Sequence, residues 1–119
     1  MQERAKKTRE QLVEAMRQAI HRQGVTRSSV SEVLAATATK KGSLYFHFAD
    51  KDELALAALE RAAEDFAAFL ERHIAGAGPA DQLRGFLAAI RAMHRETDFR
   101  RGCIFGNTTL EMAEADGRY

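Results

Sequence analysis

The chain has 119 residues, of which 45% are hydrophobic and 29% are charged, and its formal net charge is +1. This length holds one ordinary domain, or one small domain and part of another, and the composition favours folding over disorder. A single cysteine excludes an internal disulfide framework and fits a reducing environment. No apolar run approaches the length of a membrane span, and the charged N-terminus lacks the apolar core of a secretory signal.

The small net charge hides an asymmetry between the two parts of the chain. Residues 1–51 carry ten Lys or Arg against five Asp or Glu, a net charge of +5, whereas residues 52–119 carry eight against twelve, a net charge of −4. A basic first part joined to an acidic second part is typical of a nucleic-acid-binding head with a separate body. Accidental scatter of surface charge is the alternative.

Apolar residues recur at helical spacing along most of the chain, which predicts an all-α protein. The first predicted helix spans residues 8–23, with Thr8 as its N-cap and Gly24 directly after its end. Its buried stripe consists of apolar residues at helical spacing: Leu12, Val13, Met16, Ala19 and Ile20.

Two short helices and a tight turn are predicted next. Ser29 and Glu32 form a capping box, in which each side chain satisfies a backbone amide of the other, for a helix ending near residue 36. Residues 37–39 form the turn, and Thr39 caps a further helix over residues 40–48. Both helices are too short to be stable alone, so we expect them to pack against their neighbours.

The helix over residues 40–48 exposes a row of hydrogen-bond donors when Leu44 and Phe48, four residues apart, face inward. The outward residues are basic or polar: Lys40, Lys41, Ser43 and His47. Gly42 costs roughly 1 kcal/mol against alanine in a helix interior, so we expect a backbone or a base to approach it closely. The pattern predicts a helix-turn-helix unit whose second helix enters a DNA groove, with phosphates on either side.

A long helix follows, and then a clear break and another helix. Asp50 and Glu53 form a second capping box for a helix that ends at about Ala75. Residues 76–79 break the chain before a helix over residues 80–96. The predicted inner face of that helix is apolar: Leu83, Phe86, Leu87, Ile90 and Met93.

The last segment predicts a loop and a short helix. Residues 97–106 form the loop, and Thr108 with Glu111 makes a third capping box. The helix behind this box buries Leu110 and one of the two apolar residues at positions 112 and 113.

Residues 39–54, TKKGSLYFHFADKDEL, resemble the recognition helix of the TetR family of bacterial transcriptional repressors, followed by the cap of its linking helix. The resemblance is specific at six positions: Gly42, Leu44, Tyr45, Phe48, Lys51 and Leu54. It implies a three-helix helix-turn-helix DNA-binding domain over residues 1–51. Residues 52–119 are then the linking helix and a partial, truncated helical domain for ligand binding and dimerisation. One departure is Thr37, where the family has glycine; left-handed backbone at this β-branched residue costs roughly 1–2 kcal/mol.

The resemblance also implies which side chains contact double-stranded DNA. The implied residues are Ser28, Ser29, Thr39, Lys40, Lys41, Gly42, Ser43, Tyr45, His47 and Lys51. Those on the second short helix face the major groove, where lysine donates to guanine acceptors, and the helix caps donate to phosphates. Tyr45 and Lys51 hold the phosphate backbone, Lys51 at a helix N-terminus that favours an anion. The alternatives are a half-buried core ring for Tyr45 and plain solvation for the lysines.

The implied function is a sequence-specific repressor that acts as a homodimer on a palindromic operator. We expect it in the bacterial cytoplasm, at the nucleoid, without a cofactor, a metal or a membrane. Release would come from an unknown small-molecule effector or from thiol modification. The alternative is a truncated interaction module or remnant that binds DNA weakly. The sequence has no metal-ligand cluster, no phosphate-cradling glycine loop and no nucleophile with an obvious base, so we do not expect an enzyme.

Four residues of the second part are candidates for sensing. Phe66, Phe69 and Met93 would line a ligand pocket, although aromatic residues at helical spacing are more often plain core. Cys103 would be a redox or electrophile sensor, because two arginines precede it closely in sequence. Its alternative is a small buried residue that packs a loop.

Overall fold

The structure, a computed structural model, describes residues 2–74, 76 and 78–119. Six α-helices account for the regular structure of these residues, which confirms the predicted all-α class. Their bounds are α1 Gln2–Gln23, α2 Val30–Thr37, α3 Lys41–His47, α4 Lys51–His73, α5 Pro79–Arg95 and α6 Ile104–Met112. None of the helices in this described part is long and apolar enough to cross a membrane.

The chain divides into two compact units. The first unit contains Met1–Arg61 together with Cys103–Tyr119, and the second contains Ala62–Gly102. The boundary predicted between residues 51 and 52 lies inside the first unit, at the start of α4, and the domain division stays a prediction. The segment from Cys103 onward, assigned from the sequence to the truncated effector domain, belongs to the same compact unit as α1, α2 and α3.

One apolar cluster joins α1, α2, α3, α4 and α6 in the first unit. Its buried members are Leu12, Val13, Met16, Ile20, Val25, Val33, Leu44, Phe48, Leu54, Ala55, Ala58 and Met112. The predicted stripe of α1 is fully buried, as expected from its spacing. Burying one large apolar side chain contributes about 1.5–3 kcal/mol, so this core stabilises α2 and α3, which are too short to be stable alone.

The start of α1 differs from the prediction, whereas its end agrees with it. The helix begins at Gln2, so Thr8 is not its N-cap. The Thr8 hydroxyl donates to the Arg4 carbonyl at 3.0 Å, a bond that a threonine inside a helix makes one turn back. The good helix formers before Thr8 extend the helix without burying anything. At the other end the Gly24 N–H donates to the Ile20 carbonyl at 2.8 Å, and Gly24 has φ of +89°.

Ser29 caps α2 as predicted, but the turn after α2 differs from the prediction. The Ser29 hydroxyl accepts from the Glu32 N–H at 3.2 Å. Thr37 is the last residue of α2, and its hydroxyl donates to the Val33 carbonyl at 2.8 Å. The left-handed position expected at Thr37 is taken by Ala38, with φ of +52°. The strain therefore lies at a residue without a β-branch.

Thr39 does not cap α3. The N-cap of this helix is Lys40, without a side-chain capping bond, and the Thr39 hydroxyl donates back to the Thr37 carbonyl at 3.4 Å. The prediction was wrong by one residue because α2 extends one residue further than expected.

The beginning of α4 confirms the second capping pair. The Glu53 N–H donates to Asp50 Oδ1 at 2.8 Å, and the Glu53 carboxylate accepts from the Ala49 N–H at 2.7 Å. The helix ends at His73, and the predicted end at Ala75 lies outside the described residues.

In the second unit, α5 has Pro79 at its start, as predicted within one residue. Ala89 is buried on this helix, and Phe86, Ile90 and Met93 are half-buried. Leu83 and Leu87, predicted on the inner face, are 59% and 57% exposed, so that prediction was wrong for both.

The third capping box does not exist. Because α6 begins at Ile104, residues 104–106 are helical rather than part of the predicted loop, and Thr108 is a buried residue inside the helix. Leu110, predicted to be buried, is 86% exposed, whereas Met112, one of the two alternatives predicted for the second buried position, is buried. The Glu111 carboxylate, instead of capping, accepts hydrogen bonds from the loop between α1 and α2.

Candidate nucleic-acid interface

Two buried anchors orient α3. Leu44 and Phe48 lie four residues apart and are 0% and 2% exposed, as predicted. The guanidinium carbon of Arg9 on α1 lies 5.0 Å from the centroid of the Phe48 ring, a cation–π contact at the C-terminal end of α3. Because these anchors fix the rotation of this seven-residue helix, most of its other side chains are exposed.

The outward face of α3 begins with small and basic residues. Lys40, Lys41, Gly42 and Ser43 are all exposed, as predicted. A Cβ added at Gly42 would meet no heavy atom within 4 Å, so no contact within the chain requires glycine there. The cost of a helical glycine is therefore not offset by packing within the chain, and the close approach of DNA at Gly42 stays a prediction.

The aromatic half of this face contains a residue that the sequence analysis missed. Tyr45 is 44% exposed and Phe46 is 79% exposed. The Phe46 ring meets the His47 ring edge-on at 5.1 Å between centroids. His47, predicted to face outward, is half-buried. The helical period carried the missing signal, because a residue midway between two inward residues four apart points outward.

The predicted phosphate donors at the helix caps are mostly engaged within the chain. Ser28 is buried, and its hydroxyl donates to the Gly24 carbonyl at 2.7 Å, so it shapes the loop rather than meeting a phosphate. The half-buried Ser29 and Thr39 hydroxyls take part in the cap of α2 and in the turn after it. Fewer side-chain hydroxyl groups at the two ends of α2 are therefore free to donate to a phosphate than the sequence indicated.

Lys51 is half-buried at the first position of α4, and its ammonium group donates to the Thr26 carbonyl at 3.5 Å. This contact is long for a hydrogen bond, which leaves the ammonium able to bind an anion as well. The N-terminus of α4 is itself capped by Asp50. Any phosphate here would thus be held by the charge of Lys51 more than by the open end of a helix.

The candidate sensing residues lie apart from α3 in sequence. Phe66 and Phe69 on α4 and Met93 on α5 are half-buried, and the Phe69 ring packs on the His73 ring with 4.3 Å between centroids. These observations fit a core as well as a pocket, so the ligand pocket stays a prediction. Cys103 is exposed at the N-cap of α6, which removes the alternative of a small buried residue.

Comparisons with known proteins agree on the first part of the chain. The family model described as bacterial regulatory proteins, tetR family, matches residues 8–58. An uncharacterised helix-turn-helix transcriptional regulator of Lactococcus lactis subsp. lactis is 30% identical over 111 residues, covering 92% of this chain and 57% of that protein. The helix-turn-helix transcriptional repressor DhaR of Mycobacterium sp. strain GP1 is 32% identical over 111 residues, covering 88% of this chain and 52% of that protein.

A third relative, the transcriptional regulator AcuR of Cereibacter sphaeroides, is 33% identical over 106 residues, covering 85% of this chain and 47% of that protein. No solved structure gives a significant match. The chain spans about half the length of the curated relatives it matches.

Proposed function

Because the chain belongs to the TetR family of bacterial regulatory proteins, we propose that it is a transcriptional repressor that reads duplex DNA with α3. The observation that carries this proposal is the outward face of α3, which is basic at one end and aromatic at the other. Its orientation is fixed by two fully buried anchors. A helix so held presents one face to the major groove, as recognition helices do.

Each exposed residue of this face has a chemical role in the proposal. Lys40 and Lys41 donate to guanine acceptors at the groove floor, and Ser43 donates or accepts at either base pair. Gly42 lets the helix backbone approach the DNA. Phe46 contacts a thymine methyl group, the one apolar feature that the major groove offers.

Two further residues position the head on the phosphate backbone. The hydroxyl of Tyr45 and the ammonium of Lys51 are donors of the kind that fix register without reading sequence. His47, half-buried beside Phe46, orients the Phe46 ring more than it contacts a base.

As a repressor the protein would act as a homodimer in the bacterial cytoplasm, on DNA of the nucleoid. Two heads would read the half-sites of a palindrome about 34 Å apart, one helical turn of DNA. The chemistry needs no cofactor, since recognition and affinity both come from hydrogen bonds, apolar contacts and charge.

Release from DNA would follow a small molecule bound near Phe66, Phe69 and Met93, or modification of Cys103. The exposed thiol supports the second route, because an accessible cysteine is open to peroxide or to an electrophile. The test is release of bound DNA by hydrogen peroxide. If peroxide releases DNA from the Cys103→Ser variant as fully as from the wild type, a sensing role for this thiol is contradicted.

The main experiment selects duplexes from a random-sequence library with the wild-type chain and then measures binding of Lys41→Ala and Tyr45→Ala. Losing a base-edge donor costs about 1–3 kcal/mol, so we expect Lys41→Ala to weaken binding at least about fivefold. Arg84→Ala, on the exposed surface of α5, removes one positive charge elsewhere and is the matched control. Undiminished binding by both α3 variants would overturn the assignment.

A further inference from the structure

The Glu111 side chain on α6 binds backbone amides of the loop between α1 and α2. The Val25 N–H donates to Oε1 of Glu111 at 2.9 Å, and the Thr26 N–H donates to Oε2 at 2.8 Å. One carboxylate thus takes two consecutive amides from a segment 85 and 86 residues away in sequence, within the same compact unit. Hydrogen bonds to a charged acceptor are roughly twice as strong as neutral ones.

Gly24 leaves the space that this carboxylate occupies. A Cβ at this position would lie 2.7 Å from Glu111 Oε1, closer than real Cβ contacts occur. Its φ of +89° is also disfavoured for any residue with a side chain. The glycine therefore serves both the end of α1 and the approach of α6.

The Thr26 peptide lies between two opposite charges. Its N–H donates to Glu111, and its carbonyl accepts from the Lys51 ammonium group. Burial opposes ionisation of Glu111, but the amides of Thr26 and Val25 and the positive charge of Lys51 lower the pKa of this carboxyl below its ordinary value. The side chain is therefore a carboxylate at neutral pH.

The position of this carboxylate is fixed by the core. Thr108 and Met112, on either side of Glu111 in sequence, are buried, and Met112 belongs to the apolar cluster that holds α1, α3 and α4. Glu111 can leave the loop only if its side chain swings out or if α6 moves. The loop leads directly into the cap of α2, and Lys51 is a proposed phosphate contact.

We propose that Glu111 is a positioning residue for DNA binding, which sets the loop before α2 and, through the Thr26 carbonyl, the ammonium group of Lys51. The inference rests on the proposed function. It concerns a residue outside the segment matched by the family model, which ends at residue 58.

The experiment compares Glu111→Gln and Glu111→Ala with Glu114→Ala, which removes an exposed glutamate three residues further on. The probe is a labelled duplex selected from a random-sequence library by the wild-type chain. We expect Glu111→Ala to weaken binding about fivefold, Glu111→Gln less because it keeps one acceptor oxygen, and Glu114→Ala not at all. Hydrogen exchange of the Val25 and Thr26 amides should be faster in both Glu111 variants.

A double-mutant cycle with Lys51→Ala separates positioning from general stability. If Glu111 acts through Lys51, the double variant should lose less affinity than the product of the two single-variant losses. Glu111→Gln should show the same coupling, and it leaves no cavity at the loop. Faster amide exchange with unchanged affinity would overturn the positioning role and leave the proposed function intact. Equal losses in the Glu111 and Glu114 variants would also overturn it. Failure of the wild-type chain to select any duplex would instead overturn the proposed function.

Discussion

Phe46 is mostly exposed on a helix whose residues at positions 44 and 48 are fully buried. A phenylalanine ring exposed to water contributes no hydrophobic stabilisation to the fold, and its edge contact with His47 covers only a part of it. Covering the ring with a thymine methyl group removes apolar surface from water on both sides. The proposed contact with DNA would therefore cover an apolar ring that the fold leaves exposed.

Phe46→Ala should weaken DNA binding while leaving the fold unchanged. Because the side chain is exposed, we expect the free energy of unfolding to change by less than about 0.5 kcal/mol, as surface substitutions do. Binding of the selected duplex should weaken several-fold, and this loss should be smaller on a duplex in which thymine is replaced by uracil, which lacks the methyl group. Urea denaturation and fluorescence anisotropy measure the two quantities.

Phe48→Ala is the contrasting variant, because it removes a buried ring two residues away. It should cost about 3–5 kcal/mol of stability and lose binding through unfolding. A stable Phe46→Ala protein that binds both duplexes as tightly as the wild type would contradict the assignment of Phe46 to the interface.

Burial at single positions was predictable where it follows from helical period. Leu44 and Phe48 were assigned inward from their spacing alone. Phe46 was not predicted on the outward face, because polar donors give a recognisable signal for DNA contacts and a single phenylalanine does not. The role of Ser28 was not predictable, since its bond to the Gly24 carbonyl depends on how the loop folds back.

At the level of elements, the turn between α2 and α3 contains a residue with strained backbone, directly before the proposed recognition helix α3. Ala38 has φ of +52°, and its N–H donates to the Leu34 carbonyl as the C-cap of α2. Left-handed backbone costs a residue with a Cβ roughly 1–2 kcal/mol, and glycine avoids this cost. The same turn sets the angle between α2 and α3.

Ala38→Gly should therefore stabilise the protein. Relief of strain outweighs the extra flexibility that glycine gives to the unfolded chain, about 0.4–1 kcal/mol, so we expect a net gain of about 0.5–1 kcal/mol. Ala36→Gly, at an exposed position inside α2, is the matched control and should lose about 1 kcal/mol. Urea denaturation measures both changes. Destabilisation by Ala38→Gly of the same size as by Ala36→Gly would show that Ala38 is not strained.

Capping patterns predicted the start of a helix correctly only where the residues before the cap are not helical. Ser29 and Asp50 follow a loop and a turn, and each accepts from the backbone amide three residues on, as predicted. The reciprocal half of the first box does not form, because the Glu32 carboxylate accepts from the Gln23 side chain. Thr8 carries the same signal inside a helix, where its hydroxyl donates to the Arg4 carbonyl of the previous turn. Thr108 also lies inside a helix, at a buried position. The sequence alone did not distinguish these two threonines from true caps.

At the scale of the whole molecule, the last seventeen residues belong to the same compact unit as the helix-turn-helix part. The segment Cys103–Tyr119 completes the core of the first unit through Met112 and fixes the start of α4 through Tyr119, whose hydroxyl donates to Asp52 at 2.7 Å. Contacts so distant in sequence have no local signal. The resemblance therefore predicted the helix-turn-helix part, whereas the packing of this segment in the first unit had no signal in the sequence.

Salt dependence distinguishes repression by a dimer from weak binding by a single head. Each lysine or arginine that neutralises a phosphate adds about 0.9 to the slope of log affinity against log salt. Two heads on a palindromic duplex should give twice the slope of one head on a half-site duplex, and sedimentation should show two chains per palindrome. Lys51→Ala should reduce the slope by about 0.9 per head, whereas Arg84→Ala should not change it. Equal slopes on both duplexes, with one chain bound to each, would contradict the dimeric repressor and support the weakly binding interaction module.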